Sequence, residues 1–330
     1  MKSGPPAPVM LVVDKPAGIT SHDVVAVLRA VTGVRKTGHT GTLDPFATGV
    51  LPVAFGAATR FISFLHEDHK VYDGELLLGQ ATRTGDLEGE VCETGVVPPL
   101  DRARVEAAMA GLTGALKQVP PAYSAIKVGG KPLYAYAREG IVVDVPARDV
   151  RVDRWELLEL KPASIVFRVH CGRGTYVRAL GEDLAAALGT VGHLIALRRS
   201  RSGPFSLKQS IDWDGLAECV TGVPDSAAAF PRDRDAERLP RRSRDEVREA
   251  LKPHLIGLSD MFSELPRLPL AGEALERLLV GGDVPGRDED GVYLATHGES
   301  GHVLALAQST AGRGRPLRVV SPEARFAQWP

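Results

Sequence analysis

The sequence predicts an α+β protein with a mixed, largely antiparallel sheet, followed by a small β-rich module at its C-terminal end. Segments typical of strands and helices are interspersed over the first two thirds of the chain, without the strict alternation of a doubly wound parallel sheet. After about residue 255, the chain contains one helical segment and three short strand segments. These two patterns decide the fold class.

The N-terminal segment combines a short buried strand with an amphipathic helix. Pro16 closes the apolar run PVMLVVDKP, which is typical of a strand. In ITSHDVVAVLRAVTG, apolar residues recur at helical spacing, Ser21 stands at the expected N-cap and Gly33 ends the pattern. The next stretch, RKTGHTGTLDPFATGV, is rich in glycine and threonine, and we predict a loop there.

The rest of the chain continues in mixed order. The pattern predicts strands at LPVAFG and YDGELLLG, an antiparallel pair at VRVDRWELLEL and ASIVFRVHCGRG, and helices at LDRARVEAAMAGLTG and TYVRALGEDLAAALG. In the C-terminal part, PLAGEALERLLVGG is typical of a helix, whereas GVYLATH, HVLALAQS and LRVVSP are typical of strands.

The composition changes near residue 221, where alternating charges and prolines replace large apolar residues. We therefore predict three regions: a large α+β domain at 1–215, a charged linker or insertion at 216–254 with room for one exposed helix, and a small β-rich domain at 255–330. The last of these has the size of an appended binding module.

Bulk properties exclude several classes of protein. No apolar run approaches the roughly 20 residues of a membrane span, and the N-terminus lacks a secretory signal, so we expect a cytoplasmic protein with no membrane partner. Cys92, Cys171 and Cys219 are too far apart for a disulfide framework or a zinc motif. Forty basic residues nearly cancel 41 acidic ones, so a nucleic-acid site would require basic residues that cluster in space.

Two short motifs resemble ligand sites without their full pattern. His66 and His69 in HEDH have no obvious third metal ligand nearby. Gly129, Gly130 and Lys131 lack the spacing of a phosphate-binding loop. We therefore expect neither a metal nor a small-molecule cofactor.

Asp44, within GHTGTLDPFATGV, is the strongest candidate for a reactive residue. Gly38, Gly41 and Gly49 allow the chain to come close to a ligand, and Pro45 removes a backbone donor just after Asp44. Such a loop can present a carboxylate in a cleft. An aspartate that caps a turn explains the same stretch equally well, so these residues alone leave both interpretations open.

The segment around Asp44 resembles the catalytic motif of the TruB family of tRNA pseudouridine synthases. Further motifs of that family are matched over about residues 9–212, and their order argues against a chance match. In chain order these segments are DKPAGITSHDVV, YDGELLLGQATRTGDLEG, VPPAYSAIKVGGKPLYAYAREG, CGRGTYVRALGEDL and VGHLIALRRSRSGPF.

The resemblance implies an activity, a fold and a partner. The activity is the isomerisation of uridine 55 in the TΨC loop of tRNA to pseudouridine, with Asp44 as nucleophile on a flipped-out base. The implied fold is the pseudouridine synthase fold in the first region, followed by a PUA-like domain that holds the acceptor side of the tRNA. A carboxylate can attack either C6 of the base or C1′ of the sugar, and both remain open. We expect a monomer.

The resemblance also assigns roles to individual side chains. Arg178 is the counter-ion of Asp44, because arginine stays charged and can bind a carboxylate with two nitrogens. Without the resemblance, its position on a predicted helix would also fit a surface arginine. Tyr72 stacks on the uracil and handles the C5 proton, and Tyr176 lines the pocket, although either could be a core tyrosine. His39 helps to displace the flipped nucleotide or stacks on it, and Leu197 lines the pocket.

Arg198, Arg199 and Arg201 form a short basic cluster in the sequence. Such a cluster is suited to RNA phosphates, and a solvated charged turn is the alternative.

Two functions from other classes compete with isomerisation. A non-catalytic RNA-binding protein on the same scaffold would not require that Asp44, Tyr72 and Arg178 all be present. A carboxylate-dependent glycosidase would need a second acid at a defined distance, and no paired carboxylate motif accompanies Asp44.

Overall fold

A computed structural model describes residues 8–65, 69–224 and 242–320. Its strands are β1 (Val9–Lys15), β2 (Thr37–His39), β3 (Thr48–Phe55), β4 (Lys70–Leu78), β5 (Gln80–Thr82), β6 (Val91–Thr94), β7 (Gly114–Gln118), β8 (Lys127–Val128), β9 (Lys131–Pro132), β10 (Arg148–Leu160), β11 (Ser164–Cys171), β12 (Gly192–Ser202), β13 (Phe205–Ser206), β14 (Ser210–Ile211), β15 (Leu255–Gly257), β16 (Arg267–Leu270), β17 (Val284–Pro285), β18 (Gly291–His297), β19 (Val303–Thr310) and β20 (Arg313–Val319). Its α-helices are α1 (Ser21–Thr32), α2 (Arg102–Gly111), α3 (Leu133–Arg138), α4 (Val177–Ala187), α5 (Trp213–Thr221), α6 (Arg244–Leu251), α7 (Leu258–Met261) and α8 (Gly272–Leu279).

The chain divides into two compact units that do not follow its linear order. The first unit comprises residues 1–43, 50–65 and 204–330, and the second comprises 44–49 and 66–203. The predicted linear division at 215 and 255 therefore differs from the grouping by contacts, in which the C-terminal module belongs with the N-terminal strands.

The sheet of the second unit has the strand order β12–β4–β11–β10–β7, and each neighbouring pair is antiparallel. Helix α4 packs on this sheet where Gly181 lies against Leu76 and Leu194, since a Cβ there would come within 3.2 Å of both leucines. The predicted antiparallel pair at β10 and β11 is confirmed. Strand β12 was not predicted, because its arginines hide the apolar alternation that identifies a half-buried strand.

The first unit contains β1, most of β3 and helix α1. Helix α1 begins as predicted, but its N-cap is Thr20 rather than Ser21. Thr20 and Asp23 form a reciprocal capping box, and Gly33 ends the helix in the left-handed conformation with φ of 74°. Ser21 instead turns inward, where its Oγ accepts from Leu43 N at 2.8 Å and donates to Leu43 O at 3.1 Å.

The C-terminal module is a five-stranded sheet with the order β16–β18–β19–β20–β17. The three strands that the sequence predicted correspond to β18, β19 and β20, and the predicted helix corresponds to α8. Leu294, Leu306 and Val320 of this module are buried in the same apolar cluster as Met10 and Val50. The module therefore packs against the N-terminal strands through this cluster, and it also has an apolar cluster of its own that includes Leu278 and Tyr293.

The predicted linker at 216–254 contains ordered helices at both ends. Helix α6 starts with a capping box between Ser243 and Glu246 and buries Val247 and Leu251. Helix α5 ends at Gly222, and the backbone of Arg242 donates to Val220 O at 2.9 Å. The middle of the predicted linker, 225–241, lies outside the described residues, as does His66 of the HEDH motif.

No helix in the described ranges is long and apolar enough to cross a membrane.

Gly49 provides a test of the packing between β3 and β12. Its φ is +106°, and a Cβ would lie 2.2 Å from the carbonyl oxygen of Arg199 on the neighbouring strand. We expect Gly49→Ala to lower the free energy of unfolding by about 2–4 kcal/mol, because neither backbone can yield without losing strand pairing. Urea denaturation measures this change.

Gly38→Ala is the matched control, because a Cβ at Gly38 meets no atom within 4 Å and its φ is not positive. Its effect should stay below about 0.5 kcal/mol. Equal effects of the two substitutions would contradict the close approach at Gly49.

Candidate active site

Asp44 lies in the irregular segment between β2 and β3, where two anchors fix the chain. Ser21 holds both backbone polar groups of the preceding residue, Leu43. On the other side, Phe46 and Ala47 are buried, and Ala47 N donates to Asp44 O at 3.1 Å. The predicted loop is therefore present at residues 40–47, whereas β2 and the start of β3 lie within the stretch that we expected to be all loop.

Arg178 grips the carboxylate of Asp44 with two nitrogens. Its Nε donates to Oδ2 of Asp44 at 2.9 Å, and its Nη2 donates to Oδ1 at 3.2 Å. The Arg178 side chain is 4% exposed, whereas the Asp44 side chain is 33% exposed. The arginine is thus fixed inside the protein, while one side of the carboxylate remains accessible.

The remaining donors of Arg178 meet acceptors from two other parts of the chain. Nη1 donates to Thr84 O, and Nη2 donates to Tyr123 O at 2.9 Å. Asp86 provides a second carboxylate, and its Oδ2 lies 3.6 Å from Nη1 of Arg178. Since a buried guanidinium is costly unless its donors are satisfied, these contacts explain how a charged side chain can stay at this depth.

Asp86 is a buried residue that the sequence did not single out. Its Oδ1 accepts from Thr84 Oγ1 at 2.5 Å and from Glu88 N at 3.1 Å. Arg178 therefore lies between two carboxylates, of which only Asp44 is substantially exposed. Asp86 stands in the segment TRTGDLEG, and only the three-dimensional contact with Arg178 marks it out.

Tyr72 and Arg199 face each other across the strand pair β4–β12. Both side chains are buried, and the Arg199 guanidinium donates a hydrogen bond to the phenolic oxygen of Tyr72. Burial is the main cause that raises the pKa of Tyr72 above its ordinary value; Arg199 acts in the opposite direction, and the Asp44 carboxylate adds to the rise.

Tyr176 and Leu197 occupy ordered positions in the same unit. Tyr176 is the N-cap residue of α4, and Gln118 holds its backbone by accepting from Tyr176 N at 2.8 Å and donating to Tyr176 O at 3.1 Å. Leu197 is a buried residue of β12 that pairs with Gly74 of β4. Gln118 is a second supporting residue that sequence reasoning missed.

The predicted basic cluster is divided within strand β12: alternation separates Arg198 from Arg199, and a register shift separates Arg199 from Arg201. Arg199 is fully buried, so its prediction as an RNA-backbone contact is wrong; its partner is the Tyr72 hydroxyl. Arg198 is half-buried and contacts Thr48 Oγ1 at 3.3 Å, whereas Arg201 is exposed. The alternative of a solvated charged turn is wrong as well, because all three residues lie in a strand.

His39 is the predicted site residue that the structure assigns to the other unit. It ends β2, pairs with Val53 and is half-buried. Its role in displacing a nucleotide stays a prediction. Within the described ranges, no group of three or more His, Cys, Asp or Glu side chains could hold a metal ion.

This arrangement supplies an ionised carboxylate, a fixed cation and a buried phenol. The two-nitrogen contact favours the charged form of Asp44, because protonating the carboxylate would remove an acceptor from a guanidinium that cannot lose its charge. An ionised carboxylate with an accessible side can act as a nucleophile.

We expect Arg178→Met to lower the free energy of unfolding by roughly 3–5 kcal/mol, because it leaves buried Asp86 without its cation. Thermal and urea denaturation measure the change. Arg173→Met is the control, since Arg173 is exposed and forms no ion pair with any described residue; its effect should stay within about 0.5 kcal/mol. A similarly small effect at Arg178 would contradict its role as the anchor of this site.

Known families match most of the chain. Residues 29–177 match the family model described as the N-terminal domain of TruB family pseudouridylate synthase, and residues 178–253 match the model of the tRNA pseudouridylate synthase B C-terminal domain. These two matches confirm the resemblance that the sequence motifs indicated.

Several relatives are named tRNA pseudouridine synthase B. The protein of Mycobacterium avium is 50% identical over 216 residues, which cover 64% of this chain and 70% of the relative. The protein of Thermobifida fusca is 43% identical over 261 residues, covering 76% and 87%. The protein of Syntrophotalea carbinolica is 37% identical over 317 residues and covers 94% of each chain.

Solved structures match the fold. A chain of a Cbf5–Nop10–Gar1 complex superposes with a TM-score of 0.67 at 24% identity, covering 97% of this chain and 87% of that chain. A chain of an archaeal box H/ACA Nop10–Cbf5 complex gives a TM-score of 0.61 at 21% identity, covering 95% and 85%. The predicted α+β pseudouridine synthase fold with a β-rich C-terminal module is thereby confirmed. Family models, relatives and fold agree, and the chain belongs to the TruB family of tRNA pseudouridine synthases.

Proposed function

We propose that this protein isomerises uridine 55 in the TΨC loop of tRNA to pseudouridine, with Asp44 as the nucleophile. The observation that carries this proposal is the contact between Asp44 and the buried Arg178, which favours an ionised carboxylate while leaving a third of its side chain exposed. The relatives named tRNA pseudouridine synthase B support the choice of tRNA as substrate.

The reaction requires three operations, and the site has a group suited to each. The N1–C1′ bond breaks, the base turns, and C5 joins C1′. Asp44 can form a transient bond at C6 or at C1′, and either attack needs its ionised form. Arg178 orients the Asp44 side chain and stabilises its negative charge whenever the carboxylate is free, both before the attack and after the transient bond breaks.

Tyr72 is suited to the base because it combines a flat ring with a proton-handling oxygen. A uracil that has left its RNA stack loses stacking energy of a few kcal/mol, and an aromatic ring can restore part of it. Tyr176, held by Gln118, and the apolar Leu197 are proposed to line the same pocket. Apolar lining excludes water, which would otherwise hydrolyse an intermediate with a broken glycosidic bond.

The C-terminal module carries a surface suited to an RNA backbone. An open concavity of about 710 Å³ lies on the β19–β20 face, and no described residue that lines it has a carboxylate; these lining residues are Gln308, Thr310, Arg313, Arg315, Pro316, Leu317 and Arg318. Arg313 pairs with Asp283 at 3.1 Å, and Arg318 lies over the ring of Phe64 at 5.2 Å. No described carboxylate pairs with Arg315. We propose that this basic concavity holds phosphates on the acceptor side of the tRNA.

We expect Asp44→Ala and Asp44→Asn to abolish pseudouridine formation, because neither side chain can act as a carboxylate nucleophile. Arg178→Lys keeps the charge but not the two-nitrogen contact, and should slow the reaction at least about 100-fold. Tritium release from TΨC-arm RNA labelled at uridine C5, under single-turnover conditions, measures both effects.

Asp149→Asn is the matched control, because Asp149 is an exposed carboxylate of the same unit, paired with Lys117. Tritium release that survives Asp44→Ala would overturn the role of Asp44. Free uracil or an abasic product would favour a glycosidase, and RNA binding by the wild type without tritium release would favour a non-catalytic RNA-binding protein. Replacing uridine 55 by cytidine should remove all release and thereby tests the position.

Substituting Arg313, Arg315 and Arg318 together by Gln should weaken tRNA binding. The slope of log K for tRNA binding against the logarithm of the salt concentration should become shallower by roughly 0.7–0.9 for each phosphate that is no longer neutralised. Arg315→Gln alone should have a larger effect than Arg313→Gln, because Arg313 is already neutralised by Asp283. Filter binding across a range of salt concentrations measures the slope. Arg277→Gln on α8 is the control, since Arg277 belongs to the same module but lies outside the concavity. An unchanged slope in the triple variant would exclude this surface.

A further inference from the structure

A second buried arginine, Arg199, contacts the side chain that handles the base. Tyr72 of β4 has two cross-strand neighbours, Val169 of β11 and Arg199 of β12. Arg199 is 0% exposed, and its backbone approaches Gly49 so closely that β3 has no room for a side chain there. The sheet therefore fixes the backbones of Arg199 and Tyr72 side by side, and both side chains are buried.

The direction of the hydrogen bond between these residues follows from their chemistry. A guanidinium has only donors, so the phenolic oxygen of Tyr72 must accept from Arg199. An oxygen that accepts from a cation carries negative charge at lower cost, and its own hydrogen points elsewhere. The contact therefore increases the fraction of Tyr72 that is ionised, and only the ionised oxygen can receive a proton from a substrate.

Other groups that face Tyr72 act against ionisation. Burial raises the pKa of Tyr72 most strongly, and Cys171 and the Asp44 carboxylate raise it further. Arg199 is the group that lowers it, through both its charge and its hydrogen bond. Without Arg199, the phenol would stand in an apolar site beside a carboxylate, where a phenolate is least stable.

We propose that Arg199 is a positioning residue that makes Tyr72 the acceptor of the proton leaving C5. This proposal rests on the function proposed above. After C5 has joined C1′, the C5–H bond breaks and its proton passes to the Tyr72 phenolate, which becomes a phenol. The electron pair restores the C5–C6 double bond. If Asp44 attacked C1′, the second C6–N1 pair moves to N1, which takes a proton from water. If Asp44 attacked C6, the bond between C6 and the Asp44 oxygen breaks, its pair returns to the carboxylate, and N1 has already taken a proton from water when N1–C1′ broke. Tyr72 returns its proton to water before the next turnover.

The test measures release of the C5 proton with Arg199→Gln and Arg199→Met, which remove the charge and keep part of the packing volume. We expect single-turnover tritium release to slow by about 10- to 100-fold, which is a part of the roughly 10²- to 10⁴-fold that general acid–base catalysis contributes. Because the pKa of Tyr72 rises further when Arg199 is replaced, the rise of the rate with pH should move to higher pH in both variants. Arg199→Lys, which keeps the charge, should lose less.

Three comparisons separate this role from a merely structural one. In a Tyr72→Phe background, Arg199→Gln should cause no further decrease in the rate of tritium release. The dissociation constant for tRNA and its salt dependence should not change, because Arg199 is buried and does not contact phosphates. Arg168→Gln is the matched control: Arg168 pairs with Asp73, next to Tyr72, at 2.6 Å, and is half-exposed. It should leave the rate and the pH profile unchanged.

The inference would be overturned if a folded Arg199→Gln or Arg199→Met variant released tritium at the wild-type rate and with the wild-type pH profile. It would also be overturned if Arg199→Gln slowed tritium release equally in the wild-type and the Tyr72→Phe background. Melting temperatures identify which of the two charge-free variants is folded, and that variant decides. Wild-type protein that releases no tritium at all would instead contradict the proposed function, so the two failures are distinguishable.

Discussion

The buried guanidinium of Arg178 is the constraint on which the active site depends. A charged side chain at this depth is stable only when acceptors surround it, and no single segment of the chain supplies enough of them. Asp44, Thr84 O and Tyr123 O come from three separated segments. Folding the site therefore means bringing these segments to one side chain, and the same contacts that satisfy Arg178 orient Asp44.

A second buried arginine divides the work with the first. Arg178 contacts the carboxylate of Asp44, and Arg199 contacts the phenol of Tyr72. Arg199 lies on β12, which pairs with β3 on one side and with β4, the strand of Tyr72, on the other. Each cation favours the anionic form of its neighbour, so the proposed nucleophile, Asp44, and the proposed proton acceptor, Tyr72, do not compete for one positive charge. The close approach of Gly49 to Arg199 connects this chemistry to the sheet: the glycine is needed where the arginine's backbone passes.

Residue patterns predicted those features that depend on local spacing. Apolar periodicity identified α1, β10, β11 and α4, and the motif around Asp44 identified the loop that carries it. Strand β12 was missed because consecutive arginines look like a solvated cluster, although one of them points into the core. Asp86 and Gln118 could not be found from sequence, because their importance arises from contacts with residues 92 and 58 positions further along the chain, Arg178 and Tyr176.

The shared core of the C-terminal module determines how its contribution to RNA binding can be separated from its contribution to folding. Leu294 and Leu306 of the module pack in one cluster with Met10 and Val50, so deleting the module would expose the strand that precedes the helix anchoring Asp44's loop. A truncated protein would lose activity whether or not the module touches RNA. Among the arginines of the exposed β19–β20 face, Arg315 has no described carboxylate partner and no ring contact. Its substitution therefore removes charge without disturbing the shared core, and it reports on RNA binding most directly.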